Sequence, residues 1–184
     1  MPPTPAYVSV DVETAGPSPT RHALMSIGAC LVADPEHGFY AELKPDSAEA
    51  DPRALAVSGL SLEGLSQSGE EPGAALERFA HWLAQVTNGD RPVFVGFNAP
   101  FDWSFVNDYF HRYRGQNPFG HSALDIKALY MGLAGVDWDV TGFAQVAARY
   151  GEPQSLSHHA LADARDQARL FRHILDELRA RRES

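Results

Sequence analysis

Alternating polar and apolar residues near the start of the chain predict a first strand over residues 6–13. Valines occupy every second position of this segment, and Asp11 and Glu13 lie between and after them. Because side chains alternate across a strand with a period of two, the two carboxylates point to the same face. Neighbouring anions repel each other and resist burial unless a cation or a proton lies between them. The segment is therefore either a solvated edge strand or one half of a cation site.

Three further apolar runs predict the rest of a sheet. Residues 24–33 and 39–43 are typical of the second and third strands of an antiparallel meander, joined by a turn-rich connection. The continuous apolar run over 92–97 is typical of a parallel strand that is covered on both faces. Strands that come first and then alternate with helices indicate an α/β sheet with mixed strand directions.

Apolar residues at spacings of three and four predict the helices. A long helix is expected from Pro72 onward and the last one over residues 159–182, with two short helical pieces within residues 51–69. Polar side chains just before a helix can accept hydrogen bonds from its first free amides. Three such residues are expected to cap the helices that follow them: Asn98, Asp125 and Thr141.

Length and composition restrict the class of protein. A chain of 184 residues with 44% hydrophobic content is expected to form a single domain, residues 1–184. Its formal net charge of -9 argues against tight binding of duplexes through general basicity. Cys30 is the only cysteine, which leaves no disulfide or thiolate zinc site. Without a signal-like start or a run of roughly 20 apolar residues, the chain is expected to be cytoplasmic, with no membrane partner.

Two more carboxylates lie near the starts of predicted helices, each on the same helix face as the apolar residues that follow. Asp102 lies in the first turn of the helix after Asn98, and Asp163 lies near the start of the last helix. A helix N-terminus favours an anion by about 0.3 to 1 kcal/mol, whereas burial of a lone carboxylate costs several kcal/mol. Each aspartate therefore either complements the helix dipole at the surface or turns inward toward a metal ion.

Four carboxylates together favour hard divalent cations, because oxygen ligands suit Mg²⁺ or Mn²⁺ rather than zinc. Two such ions about 3.5 to 4 Å apart can stabilise both the attacking and the leaving oxygen of an in-line displacement at phosphorus. That reaction also needs a general base. His158 lies five residues before Asp163 and is the first candidate, with His159 as its rival.

Three segments of the chain carry a resemblance to a known superfamily. VSVDVETAG, VGFNAPFDWSFV and HHALADARDQARL resemble the three motifs of the DEDD exonucleases, in the DEDDh branch that has a histidine five residues before the last aspartate. This branch includes the proofreading subunit of bacterial DNA polymerase III, ribonuclease T and oligoribonuclease. The motifs occur in order between residues 8 and 170, so the resemblance covers nearly the whole chain.

The resemblance implies a fold and a reaction. The fold is ribonuclease H-like, with a five-stranded mixed sheet flanked by helices. The reaction is the metal-dependent hydrolysis of terminal phosphodiesters of DNA or RNA from the 3′ end, which releases nucleoside 5′-monophosphates by a two-metal mechanism. The expected partner is the 3′ end of a single strand. Several relatives form homodimers, so the resemblance, and not the sequence itself, suggests a homodimer.

The resemblance also assigns roles to residues. His158 is implied as the general base, since His159 falls on a variable position of the motif. Thr14 is implied to hold the terminal nucleotide, while Ala15 stands where many members have a second threonine. Two divalent cations, Mg²⁺ or Mn²⁺, are implied to bind the four carboxylates: Asp11, Glu13, Asp102 and Asp163.

Other residues are candidates for contact with the substrate. Arg21 lies in the loop after the first motif, and Asn98 lies within the second motif, before its aspartate. Phe101 or Trp103 is expected to offer a stacking surface for a base. The arginines of the last helix are interpreted as a solvated face: Arg165, Arg169, Arg172 and Arg179.

Three alternatives stay open at this point. An oligoribonuclease-like enzyme would share the mechanism and prefer very short RNA. A catalytically silent member would bind a nucleic acid or a partner protein, although retention of the carboxylates and the histidine counts against it. An endonuclease or integrase of the same fold class fits the carboxylates but not the spacing between His158 and Asp163.

Overall fold

A computed structural model describes residues 4–183 and shows a five-stranded mixed sheet. The strands are β1 (Pro5–Thr14), β2 (Leu24–Leu31), β3 (Asp34–Glu42), β4 (Arg91–Gly96) and β5 (Ala123–Asp125). Their order is β3-β2-β1-β4-β5, with antiparallel pairing from β1 to β3 and parallel pairing from β1 through β4 to β5. Because β1 is the central strand, the edge-strand interpretation of Asp11 and Glu13 is wrong.

Helices flank this sheet. They are α1 (Pro52–Ser58), α2 (Leu62–Ser68), α3 (Pro72–Thr87), α4 (Ala99–Arg114), α5 (Ile126–Ala134), α6 (Phe143–Tyr150) and α7 (Ala160–Glu183). A short 3₁₀ turn, Trp138–Val140, lies between α5 and α6. Within residues 4–183, no helix combines the length and the apolar character that a bilayer crossing requires.

The alternation of β1 separates two cores. The three valines of β1 are buried in one core against α3 and α4. The face that carries Asp11 and Glu13 is covered by α7, where the thiol of Cys30 lies 3.5 Å from the carbonyl oxygen of Ala164. The predicted period-two pattern of β1 is thus confirmed, and Cys30 is buried filler as expected.

Two glycines allow the start of α7 to pack directly on the sheet. A Cβ atom at Gly28 would lie 2.1 Å from the backbone of Ala160 and of Leu161. A Cβ atom at Gly38 would lie 2.6 Å from a side-chain carbon of Leu161. Because Gly28 is paired with Asp11 between β2 and β1, this close approach brings the first turn of α7 over the carboxylates.

The predicted strands differ from the observed ones at two places. β3 begins at Asp34, inside the predicted turn, because Asp34 already pairs with Leu31 across a very short connection. The apolar pattern indicates only four strands, and the fifth strand is implied by the family resemblance alone. β5 has three residues, which are too few to show a period.

Two of the three predicted helix caps are wrong. Asn98 makes no capping bond with its side chain, because its backbone is left-handed (φ 64°) whereas an N-cap residue is normally extended. The hydroxyl of Thr141 donates to the carbonyl of Trp138 instead, and Gly142 occupies the cap position of α6. Asp125 does cap α5, as predicted, and also accepts a hydrogen bond from the start of α4.

Candidate active site

The end of β1 extends beyond its parallel neighbour. Pairing between β1 and β4 ends at Ser9 and Val95, so the later part of β1 has no strand partner on that side. The first turn of α4 fills this gap, where Asp102 accepts a hydrogen bond from the amide of Val12 at 3.1 Å. Asp102 is only 5% exposed. The surface alternative for this aspartate is therefore wrong.

Asp163 is held by the loop that precedes α7, and it is 1% exposed. One of its oxygens accepts hydrogen bonds from the amide and the hydroxyl of Ser157, both at 2.7 Å. The other oxygen accepts a hydrogen bond from the amide of His158 at 2.8 Å. This carboxylate therefore faces inward and also fixes the loop that carries both candidate bases.

The two histidines of this loop point in different directions. One ligand atom each of Glu13, His158 and Asp163 lies within 4.8 Å of the others. The ring of His159 instead stacks on Tyr40, with ring centroids 4.6 Å apart and an interplanar angle of 18°. His158 has a left-handed backbone with φ 58°, a conformation that costs a non-glycine residue about 1 to 2 kcal/mol. Geometry therefore favours His158 over His159 as the group that acts on the cluster.

Burial and mutual repulsion raise the pKa of three carboxylates. Burial raises the pKa of Asp11 well above its usual range, and repulsion from the other three carboxylates adds to this. Burial raises the pKa of Glu13 to about 7, with a further contribution from Asp163. Burial also raises the pKa of Asp102 to about 8, although the amide of Val12 opposes the shift. The protein chain alone thus leaves the charge of this cluster uncompensated.

The cluster fits a divalent cation. A cation among these carboxylates would remove the repulsion that now favours their protonation. The donors are carboxylate oxygens and one imidazole nitrogen, and the oxygens suit hard ions. Glu13, His158 and Asp163 form a candidate metal site, and Asp11 interacts with it through its charge.

Gln167 is a residue of this site that sequence reasoning missed. Its amide nitrogen donates to Asp11 at 2.6 Å, and its amide oxygen accepts a hydrogen bond from the backbone of Phe97 at 2.9 Å. It is 1% exposed and lies one turn after Asp163 on α7. The sequence does contain a signal for it, because a polar residue four positions after the predicted ligand Asp163 lies on the same face of the helix.

A cavity of about 260 Å³ opens beside Glu13 and Thr14. Phe101 and the half-exposed Val57 provide apolar lining, and Arg53 adds a cation. Thr14 is 6% exposed, and its hydroxyl donates to a nearby backbone carbonyl at 2.9 Å. The structure thus brings together two of the four predicted substrate residues, Thr14 and Phe101.

The other predicted substrate residues lie outside the lining of this cavity. Arg21 binds Glu49 through hydrogen bonds of 2.9 and 2.7 Å. Asn98 is exposed, and Trp103 packs edge-on against Phe94 in the core. Of the four arginines interpreted as a solvated face of α7, Arg172 and Arg179 are exposed, whereas Arg165 and Arg169 are half-buried. Arg165 donates to the carbonyl of Pro35, and Arg169 pairs with acidic side chains of the protein.

Sequence comparisons relate almost the whole chain to exonucleases. A model of the exonuclease family named for ribonuclease T matches residues 8–171. The chain is 48% identical over 174 residues to the 3′-5′ DNA exonuclease Cap18 of Escherichia coli, covering 94% of this chain and 92% of that protein. It is 33% identical over 189 residues to ribonuclease T of Marinobacter nauticus, covering 94% and 83%.

Solved structures of other nucleases share the fold. The nuclease domain of 3′hExo, a DEDDh family member bound to rAMP, superposes with a TM-score of 0.77 at 15% identity, over 93% of this chain and 92% of that one. The zinc-bound complex of E. coli ExoI with ssDNA gives a TM-score of 0.68 at 18% identity, over 96% and 43%. At such identities the likeness concerns the fold, and it confirms the predicted ribonuclease H-like sheet flanked by helices.

Proposed function

Because the chain belongs to the ribonuclease T family of DEDDh 3′-to-5′ exonucleases, we propose that it shortens single-stranded DNA, using two divalent cations to release nucleoside 5′-monophosphates. The observation that carries this proposal is the cluster of buried carboxylates beside His158 at the end of β1. DNA is favoured over RNA because the relative with 48% identity is named as a DNA exonuclease.

The two cations, Mg²⁺ or Mn²⁺, would be held by the four carboxylates: Asp11, Glu13, Asp102 and Asp163. When bound, such ions polarise the scissile phosphate, favour the deprotonation of water and stabilise the leaving 3′ oxygen. The chain contributes by shielding three of these carboxylates, Glu13, Asp102 and Asp163, from bulk water. Protons compete with cations here, because the pKa values of Glu13 and Asp102 are raised to about 7 and about 8.

His158 acts as the general base in this proposal. A ring nitrogen lies within 4.8 Å of carboxylate oxygens of Glu13 and Asp163, so it is within reach of a water molecule in the cluster. The side chain is exposed and can pass the accepted proton to solvent before the next cycle. Asp163 supports this role by accepting the hydrogen bond from the amide of His158.

The cavity beside Glu13 receives the terminal nucleotide. Phe101 and Val57 offer apolar surface to the base, and base stacking on an aromatic side chain contributes about 1 to 3 kcal/mol. Thr14 lies at the same cavity and contacts the sugar. Asn98 and Arg21 contact the strand outside the cavity, for which Arg21 has to leave its partner Glu49.

RNA is the second candidate substrate, because a ribonuclease T is 33% identical over 94% of the chain. An oligoribonuclease-like preference for very short RNA is the narrower form of this alternative. A catalytically silent role is disfavoured, because a binding protein has no need for buried carboxylates that repel one another. A single catalytic domain over residues 1–184, a cytoplasmic location and a homodimer stay predictions.

A degradation panel tests the proposal. DNA and RNA of one sequence, single- and double-stranded and labelled at either end, are incubated with Mg²⁺ or Mn²⁺. We expect labelled mononucleotide as the first product from 3′-labelled single-stranded DNA, and slower release from RNA. Internal fragments would contradict exonucleolytic cleavage. Faster release from short RNA than from DNA would favour the oligoribonuclease-like alternative.

A further inference from the structure

The ring of His159 has its own partner outside the carboxylate cluster. It stacks on Tyr40 of β3, with centroids 4.6 Å apart and planes at 18°. The hydroxyl of Tyr40 donates to Glu42 at 2.9 Å, which fixes the orientation of the tyrosine ring. The stack therefore ties the loop before α7 to an ordered strand of the sheet.

Tyr40 lies on the sheet face that carries the active site. It is paired with Gly28 of β2, which is paired with Asp11 of β1. The close approach of α7 at Gly28 brings the residue before that helix, His159, next to the tyrosine ring. The stack thus lies over the same cross-strand row of the sheet as Asp11, two strands away from it.

The residue between the two anchors of this loop has an unfavourable backbone. His158 has φ 58°, and such a conformation persists in a non-glycine residue only where the surroundings hold it. On its N-terminal side, Ser157 donates two hydrogen bonds to Asp163. On its C-terminal side, the amide of His159 makes a longer bond of 3.3 Å to the hydroxyl of Ser157, the carbonyl of His159 accepts a hydrogen bond from the amide of Asp163 at 3.0 Å, and the ring of His159 stacks on Tyr40.

We propose that the Tyr40–His159 stack is a positioning device for the exonuclease reaction. It holds the left-handed backbone of His158 and so keeps the imidazole of His158 beside Glu13 and Asp163. His159 is then a positioning residue that contacts neither substrate nor cations. The inference rests on the proposed function, since it assumes that His158 is the base.

The test compares variants that keep a ring with variants that remove it. His159→Phe retains two stacked rings, whereas His159→Ala and Tyr40→Ala do not. Because an aromatic pair is of modest strength, we expect either alanine variant to lower kcat by about three- to tenfold with little change in KM. We expect His159→Phe to keep kcat near the wild-type value, and the double alanine variant to be no worse than either single one.

A second His–Tyr stack, whose histidine lies within α7, supplies the control. His173 of α7 stacks on Tyr150, with centroids 5.4 Å apart and planes at 6°. His173→Ala should leave kcat unchanged. Amide hydrogen exchange of the metal-free protein gives a readout independent of activity: exchange at residues 156–160 should be faster in His159→Ala and unchanged in His173→Ala.

Two results would overturn the inference. A loss in His159→Phe equal to that in His159→Ala would mean that the imidazole itself is needed, not the stack. Wild-type kcat and wild-type exchange in His159→Ala would mean that the stack holds nothing. An inactive wild type would count against the proposed function, whereas the exchange measurement would still decide the inference.

Discussion

At the scale of single residues, His158 is close enough to Glu13 and Asp163 to serve either as a base or as a metal ligand. A general base contributes a factor of about 100 to 10,000, so His158→Ala should lower kcat by about 100-fold or more. Binding of Mn²⁺, measured by isothermal titration calorimetry, should be retained. A parallel loss of Mn²⁺ affinity would identify the histidine as a ligand instead.

Gln167 should matter for both stability and activity. Gln167→Leu leaves Asp11 and the amide of Phe97 without their partner, which costs at most about 1 to 3 kcal/mol for each of these half-buried groups. Urea unfolding should show this loss, and kcat should fall because Asp11 is no longer oriented. Gln85→Leu, at an exposed position of α3, is the control and should change neither quantity. Wild-type stability in Gln167→Leu would contradict the bridging role.

The chemistry of these residues was predictable to different degrees. Asp11 and Glu13 stand out because charge interrupts an apolar strand pattern, and the motif spacing points to His158. Gln167 does not stand out, because its two partners lie on β1 and after β4 and come together only in the folded sheet. The separate partner of His159 is likewise a tertiary contact with β3, which the local sequence does not contain.

At the scale of elements, the position of α7 depends on the absence of a side chain at Gly28. Gly28→Ala would introduce a methyl group 2.1 Å from the backbone of Ala160, so the helix has to shift away from the sheet. Because this shift carries Asp163 with it, we expect both the melting temperature and kcat to fall. Gly73→Ala is the control, since a Cβ atom there meets no other group within 4 Å. Equal melting temperatures and kcat for wild type and Gly28→Ala would contradict the close approach.

Elements with a clear period were predictable, and elements set by tertiary contact were not. β1 follows from its alternating valines, and α7 from its long apolar stripe. β5 has only three residues and forms because β4 offers it an edge, so its own sequence carries no signal. Asn98 has the residue type of a cap but a left-handed backbone, which the local pattern did not reveal.

At the scale of the whole molecule, stability should depend on pH in a direction set by the carboxylates. The pKa values of Glu13 and Asp102 are raised to about 7 and about 8, so the folded metal-free protein binds more protons than the unfolded chain between roughly pH 4 and pH 8. Its melting temperature should therefore fall as the pH rises from about 5 to about 8. Mg²⁺ should flatten this dependence, because a cation compensates the charge that protons otherwise remove.

Asp46 should affect the pH dependence of stability in the opposite direction, and at lower pH. Burial raises the pKa of this carboxyl, but hydrogen bonds from Tyr109, Arg112 and Tyr113 outweigh burial, and the net pKa is lowered. The stabilisation from Asp46 is therefore present above its unfolded pKa and is lost in acid.

Asp102→Asn should separate the two effects in the metal-free protein. It should reduce the fall in melting temperature between pH 5 and pH 8 and leave the loss of stability in acid unchanged. A melting temperature that rises from pH 5 to pH 8 without metal would contradict the description of the cluster.

The central claim is that the carboxylate cluster on β1 carries out the cleavage at the 3′ end. The most direct measurement is the release of mononucleotide from 3′-labelled single-stranded DNA with Mn²⁺, by wild type and by Asp11→Asn. Circular dichroism melting serves to show that both proteins are folded. We predict release by wild type and no detectable release by the variant, with no decrease in the metal-free melting temperature. Wild-type activity in Asp11→Asn would contradict the claim.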